Sequence, residues 1–164
     1  MVDWKFDKTT NKNVLKETSF GQLSTDMEYK ELLRTLKNTQ KEFKIQQSAI
    51  NFESLKEMIA KKPKIIHISC HGDYDEDSNE FYLQFENGPN GIGDKFTESR
   101  LLELLGTETD HGIKLAFVSA CHSEKIGQIL FKCKIPLVIA VNSHSTILDD
   151  ICLLFSRHLY MQLL

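Results

Sequence analysis

The sequence lacks the features of a membrane, secreted or nucleic-acid-binding protein. Its apolar runs are far shorter than the roughly 20 residues of a membrane-spanning helix, and its first residues contain no apolar signal-peptide core. The four cysteines include no CxxC pair, which favours a reducing compartment over a disulfide framework. The net charge is −3, and the lysine and arginine residues are interspersed with acids, so there is no electrostatic footprint for nucleic acid or an anionic membrane. We therefore expect a cytoplasmic protein with neither of these partners.

The length and composition indicate one globular domain. The 164 residues suffice for one hydrophobic core, and the hydrophobic (41%) and charged (26%) fractions are those of an ordinary folded protein. Residues 1–21 are polar and aperiodic, so we expect a weakly structured lead-in, followed by one domain over residues 22–164. A weak strand signal before the first helix and a missing C-cap on the last helix predict a domain truncated at both ends.

Two short apolar runs, each with a Cys-His dipeptide near its end, are the most informative feature of the chain. One spans Lys64–Gly72 and the other spans Lys114–Ser123. Short β-branched apolar runs that stop at small residues are typical of buried strands in a parallel sheet. Because ligands and chemistry collect where parallel strands end, we expect a histidine and a cysteine at one edge of one sheet.

Helical and strand patterns alternate along the rest of the chain. Apolar spacing and capping residues predict helices at 27–38 after Asp26, between Asn51 and Pro63, between Thr97 and Gly106, at 123–132 and at 147–164. Strands are predicted at 42–47, 64–69, 81–86, 113–119 and 137–142, with an acidic loop at 72–80 and a turn at 87–93. This alternation predicts an α/β fold, a three-layer α/β/α sandwich with a mainly parallel central sheet.

Cys121 is the candidate nucleophile. It follows a predicted strand and precedes a helical segment, so it is expected at a strand-to-helix turn. Backbone N–H groups at such a turn favour both a thiolate and an oxyanion. The alternative is a small buried core residue, which is the commoner role of a cysteine.

His71 is the candidate partner of that cysteine. It lies beside Gly72, where the first marked strand leaves the sheet. Glycine permits close approach of the backbone, and a histidine there can act as a general base or position the scissile group. Loop hydrogen bonding is its alternative role. His67, in the middle of the same strand, is predicted to be buried rather than catalytic.

A zinc site is another possible use of the two dipeptides, through Cys70, His71, Cys121 and His122. Adjacent side chains on a strand point to opposite faces, and the spacing fits no zinc finger or ribbon. We therefore expect no metal. The other two cysteines, Cys133 and Cys152, lie among helical apolar residues and are assigned to packing.

Two acidic segments border the expected cleft. Asp149 and Asp150 begin the last helix, where carboxylates usually cap the helix and complement its dipole. A carboxylate near a cleft can also recognise a basic side chain of a substrate. The segment Asp73–Asp77 is predicted to be solvated surface.

The two motifs resemble those of the CHAT domains, caspase-like proteins often found with tetratricopeptide repeats. His-Ile-Ser-Cys-His-Gly at 67–72 is similar to their histidine motif, and Val-Ser-Ala-Cys-His-Ser at 118–123 to their cysteine motif. The strand at 137–142, Asp149 and the segment Phe155–Tyr160 resemble the family's closing strand, aspartate and aromatic helix. His122 differs from the acidic residue often found after the cysteine in bacterial members.

This resemblance implies a cysteine endopeptidase related to caspases, separases and gingipains. Cys121 would be the nucleophile, His71 its partner, and the backbone N–H groups of Gly72 and Cys121 the oxyanion hole, with no cofactor. Asp149 would favour cleavage after basic residues. The implied partners are a protein or peptide substrate and repeat domains of the same or another chain, and a partner domain would activate the enzyme.

Two other functions are compatible with the pattern. One is a catalytically silent protein-interaction or signalling module that keeps the CHAT fold. The other is a flavodoxin-like phosphate or nucleotide binder. The second is disfavoured because the glycine cluster at 88–93 does not follow the first strand.

Overall fold

The computed structural model describes residues 2–7, 12–17, 25–37, 42–87, 92–106, 110–142, 144 and 148–163. The described part contains five helices, which are α1 Thr25–Lys37, α2 Phe52–Ala60, α3 Glu98–Gly106, α4 Glu124–Lys132 and α5 Asp149–Leu163. It also contains eight strands, which are β1 Val2–Asp7, β2 Lys12–Glu17, β3 Ile65–Ser69, β4 His71–Asp75, β5 Glu80–Asn87, β6 Ile92–Thr97, β7 Leu115–Ser119 and β8 Leu137–Ala140. From α2 onwards the predicted helices and strands occur in the predicted order, but β3 to β6 follow one another without a helix, and β4 and β6 were not predicted.

A parallel three-stranded sheet forms the centre of the fold. Its order is β3–β7–β8, and β7 in the middle is buried at every residue. The register of β3 and β7 runs from Ile65 opposite Leu115 to Ser69 opposite Ser119. Short parallel strands of apolar residues are stable when other elements cover them, which explains the mainly apolar sequences of β7 and β8. The mixed α/β fold with a parallel sheet is thus confirmed.

A second sheet, antiparallel and ordered β4–β5–β6, follows directly after β3. The acidic loop predicted at 72–80 is wrong, because His71–Asp75 pairs with Glu80–Gln84 as a hairpin. The four-residue turn between them includes Asn79 with a φ of 58°, a left-handed conformation that asparagine tolerates. The acidic side chains of β4 give it no apolar strand pattern in the sequence. Its strand conformation depends on pairing with the more apolar strand β5.

The hydrophobic core uses one face of β3 and, from β7, Ala116 and Val118. Ile66 and Ile68 alternate with partly exposed neighbours and join the buried cluster. His67 lies between them and contacts residues of α1 and α5 instead. The cluster also takes in buried side chains of α2, α3 and α4, which are Leu55, Ile59, Leu101, Leu104, Leu105, Ile126, Ile129 and Leu130.

The capping predictions have different outcomes. Asn51 caps α2 as predicted, and its side chain and that of Ser54 form a reciprocal capping box, with Ser54 N donating to Asn51 Oδ1 at 2.8 Å. Asp26 is not the cap of α1, because the helix already includes Thr25. Asp26 instead lies in the first turn, where its charge complements the helix dipole.

Two predictions near the N-terminus also differ from the structure. The strand predicted at 42–47 is wrong, since residues 42–50 contain no strand and β3 pairs only with β7 among the described residues. The expected lead-in contains the antiparallel hairpin β1–β2, with Val2 opposite Glu17 and Asp7 opposite Lys12. The division into residues 1–21 and 22–164 stays a prediction.

The helices that the structure describes include none with both the length and the apolar character needed to cross a bilayer.

Candidate active site

The register of the parallel sheet brings the two marked strand ends together. The last aligned pair of β3 and β7 is Ser69 with Ser119, and Cys70 N donates a hydrogen bond to Ser119 O at 3.3 Å. His71 and Cys121 each come two residues beyond that pair. The side-by-side strand ends therefore carry a histidine on one chain segment and a cysteine on the other.

Gly72 lies directly against the main chain of Cys121. A Cβ atom at Gly72 would be 2.1 Å from the Cys121 carbonyl oxygen and 3.4 Å from the Ala120 Cβ. No side chain fits at such a distance, so this approach of two backbones requires glycine. The contact joins the start of β4 to the turn after β7, and it places the two predicted oxyanion-hole residues next to each other.

The turn at residues 121–123 connects β7 to α4. Cys121 is partly exposed, as is His71, so solvent reaches both residues. α4 begins at Glu124, so Cys121 lies just before a helix N-terminus. The location of Cys121 at a strand-to-helix turn is as predicted.

His122 takes an unusual backbone conformation within this turn. Its φ is 54°, in the left-handed region that few non-glycine residues enter. Its ring stacks on Phe81 of β5 with centroids 6.2 Å apart, and Phe81 in turn packs on Tyr74 of β4 at 4.8 Å. These aromatic contacts join the turn to the β4–β5 hairpin. The sequence did not reveal them because they depend on the pairing of β4 with β5.

Cys70 is a packing residue. It belongs to the hydrophobic core, and burial raises the pKa of its thiol to about 12. A buried thiol that resists deprotonation is a poor nucleophile. Cys133 and Cys152 are partly buried, and burial also raises the pKa of the Cys133 thiol. None of the four cysteines forms a disulfide.

His67 lies in a polar cluster beneath α1 and α5, where 15% of its side chain remains exposed. Its Nε2 is 3.4 Å from Glu28 Oε1, an ion-pair distance without hydrogen-bond alignment. Glu28 Oε1 accepts a hydrogen bond from Ser156 Oγ at 2.5 Å. Burial lowers the pKa of His67, and the nearby Glu28 carboxylate opposes that shift. The His67 ring also stacks on Phe117 at 4.4 Å and packs on Tyr160 at 5.8 Å.

The two acidic segments have different positions. Asp149 is the first residue of α5, but its side chain lies outside the described part of the structure. Asp75 lies on β4 and accepts a hydrogen bond from Lys95 of β6 at 2.8 Å. That hydrogen bond is the main reason why the pKa of the Asp75 carboxyl is lowered. Asp75 therefore joins two strands of the antiparallel sheet in addition to facing solvent.

The described residues include no group of three or more histidine, cysteine, aspartate or glutamate side chains arranged to hold a metal ion. In particular, buried Cys70 and the half-exposed turn at Cys121 belong to different environments.

The fold and the site define a mixed α/β domain with a histidine and a cysteine at neighbouring ends of parallel strands. The family model of the CHAT domain matches residues 7–130, which is most of the chain. The chain therefore belongs to the CHAT domain family, a family of caspase-like fold, and the resemblance of the two motifs is confirmed. The matched residues include His71, Gly72 and Cys121 but end before Asp149. A search of curated proteins found no match to the chain.

Proposed function

We propose that this chain is a cysteine endopeptidase domain in which Cys121 and His71 form the catalytic dyad. The observation that carries the proposal is the contact of Gly72 with the Cys121 carbonyl, because it holds the histidine-bearing strand end against the cysteine-bearing turn. The partly exposed positions of both residues and the helix that begins at Glu124 support the same assignment.

The proposed reaction has two steps. In the first, the Cys121 sulfur attacks the peptide carbonyl carbon, a C–S bond forms, and the C–N bond breaks. His71 takes the proton of the Cys121 thiol and passes it to the leaving amine. In the second, water attacks the resulting thioester, His71 accepts a proton from the water and returns it to the leaving sulfur, and the C–S bond breaks to release a carboxylic acid and the thiol. Neither step needs a metal or a cofactor.

The proposed oxyanion hole consists of the backbone N–H groups of Gly72 and Cys121. Donors fixed by the main chain need no reorganisation when negative charge develops on the carbonyl oxygen, so they stabilise the transition state efficiently. Support comes from the close packing of these two residues, which limits independent motion of either backbone.

The proposed substrate is a protein or peptide with a basic residue before the cleaved bond. Asp149, at the start of α5, is proposed to bind that side chain, by analogy with the family's aspartate. A repeat domain of the same or another chain is the proposed partner, which would order the loops around the cleft. The proposed compartment is the cytoplasm.

We further propose that the domain is a three-layer caspase-like α/β/α sandwich. Support comes from the alternation along β3. Ile66 and Ile68 join the core that includes α2, α3 and α4, while His67 contacts Glu28 of α1 and Tyr160 of α5. Helices on opposite faces of a parallel sheet are the arrangement that such strands require.

Replacement of Cys121 by alanine tests the proposed activity. We expect Cys121→Ala to lower peptide hydrolysis by several orders of magnitude without loss of the fold, because the nucleophile is removed from a partly exposed position. The assay is cleavage of a peptide library by the intact protein with its partner domains. Cys133→Ala, at another partly buried free thiol, is the matched control and should retain full activity. Full hydrolysis by Cys121→Ala would rule out the proposed nucleophile.

A catalytically silent interaction module is the second candidate function. It is favoured by the exposed apolar side chains along α5, which include Ile151, Leu154 and Phe155. Such a surface is typical of helices that contact another protein. The Cys121→Ala variant also separates the two candidates. If the domain is a silent interaction module, this variant should bind its partner protein as the wild-type protein does.

A further inference from the structure

The hydroxyl group of Ser123 forms two hydrogen bonds, one with β7 and one with the residue that follows β8. The side chain is almost completely buried, with 1% of its surface exposed. Its Oγ donates to the Val118 carbonyl of β7 at 3.3 Å and accepts from the Val141 N–H, just after β8, at 2.9 Å. One oxygen atom therefore ties the ends of two neighbouring parallel strands to the turn that carries Cys121.

The main chain of Ser123 adds a third link. Its carbonyl accepts a hydrogen bond from Gly127 N at 2.8 Å, which begins the hydrogen-bonding pattern of α4. Residues at this position before a helix usually turn their hydroxyl onto the helix N–H groups. Ser123 makes no such side-chain cap, because its hydroxyl is engaged by the sheet. The Ser123 hydroxyl oxygen therefore accepts no hydrogen bond from the first N–H groups of α4.

These bonds fix the geometry of the turn. Cys121 is only two residues from Ser123, and the intervening His122 has a φ of 54°. A turn with a left-handed residue persists when its surroundings hold both ends. Gly72 packs on the Cys121 end, and the Ser123 hydroxyl holds the other end to β7 and β8.

We propose that Ser123 is a positioning residue for Cys121, an inference that rests on the proposed function. Its hydroxyl keeps the Cys121 thiol in place between the helix N-terminus and the strand end that carries His71. Without it, the Val141 N–H loses its acceptor and the turn gains freedom, while the thiol itself is untouched.

Alkylation of Cys121 by iodoacetamide, followed by peptide mass spectrometry, tests this role. We expect Ser123→Ala to slow alkylation of Cys121 and to lower kcat about tenfold, with KM nearly unchanged, because small displacements of a reacting group cost rate more than binding. Ser156→Ala is the matched control, since it also removes a buried serine hydroxyl with a hydrogen bond, but on α5. It should lower the melting temperature without slowing alkylation.

The outcomes separate this inference from the proposed function. Slowing in Ser123→Ala alone supports the positioning role, while equal slowing in both variants, or in neither, overturns it and leaves the dyad intact. If wild-type Cys121 reacts no faster than Cys133, the dyad itself fails, and the positioning role fails with it.

Amide hydrogen exchange in the wild-type protein provides a test that needs no variant. The Val141 N–H should be protected from exchange to the extent seen for amides of β8. Exchange of Val141 at the rate of an unstructured peptide would show that the Ser123 hydroxyl does not hold it, and would overturn the proposal.

Discussion

The contact between Gly72 and Cys121 leaves no room for a side chain. We expect Gly72→Ala to cost about 1–3 kcal/mol of folding free energy, as overpacking of a tight site does. The new methyl group would lie 2.1 Å from a backbone oxygen, so the start of β4 must move away from the Cys121 turn. Alkylation of Cys121 and peptide hydrolysis should both fall sharply, because His71 moves with that strand end. Urea unfolding and the alkylation assay measure the two effects.

Gly106→Ala is the matched control for this substitution. Gly106 is the last residue of α3, and a Cβ atom there would meet nothing within 4 Å. Alanine favours the helix more than glycine does, so stability should stay equal or rise slightly. If Gly72→Ala behaved like Gly106→Ala, the close approach of the two backbones would not matter for the site.

Among single residues, the sequence allowed the two Cys-His dipeptides to be told apart only in part. Adjacent side chains on a strand face opposite ways, and Cys70 is buried in the core while His71 is partly exposed. The conformation of His122 and the two bonds of the Ser123 hydroxyl were not predicted. The φ of 54° at His122 and the hydrogen bond between Ser123 and Val141, eighteen residues apart, depend on how α4 packs against β8. Local sequence patterns carry no information about that packing.

Among the elements, α1 and α5 meet the sheet at the polar cluster around His67. Glu28 comes from α1, Ser156 and Tyr160 come from α5, and Phe117 comes from β7. Burial is the main cause of the lowered pKa of His67 and also raises the pKa of the Tyr160 hydroxyl, to which Glu28 contributes. The docking of these two helices should therefore depend on pH.

The sign of this dependence follows from proton binding. Below pH 6.5 the unfolded chain protonates His67, while the folded protein resists protonation because its pKa is lowered. The unfolded state then binds more protons, so the free energy of unfolding falls as pH falls from 6.5 towards the folded pKa. Above 6.5 this contribution is constant. Melting temperatures measured on both sides of pH 6.5 should show the loss on the acidic side.

His67→Gln should remove most of that acid-dependent loss, because glutamine does not titrate. His158→Gln, the same substitution at an exposed histidine of α5, should keep it. Parallel curves of melting temperature against pH for His67→Gln and the wild-type protein would contradict the role assigned to the cluster.

The elements that local patterns predicted well are those with their own strong periodicity. α2, with Asn51 as its cap, and the buried strands β3 and β7 are examples. The antiparallel strand β4 was missed because its sequence is acidic and its strand conformation comes from pairing with β5. The hairpin β1–β2 was missed although Val2, Trp4 and Phe6 alternate with polar residues, a strand signal that a polar N-terminal segment obscured.

For the whole molecule, the sequence predicted the fold class but not the register. The alternation of helices and parallel strands required an α/β domain, and the CHAT family match agrees with it. Which residue of β3 lies opposite which residue of β7 depends on long-range packing. That register, with Ser69 opposite Ser119, leaves His71 and Cys121 each two residues beyond the last aligned pair.

The most direct test of the dyad is covalent capture of its nucleophile. The protein is treated with a peptide chloromethyl ketone that carries lysine or arginine, and the adducts are located by mass spectrometry. We predict one rapid adduct on Cys121 that forms much more slowly in His71→Gln, with Cys70, Cys133 and Cys152 unmodified on the same timescale. Equal, slow labelling of all four cysteines, or an unchanged rate in His71→Gln, would contradict the dyad.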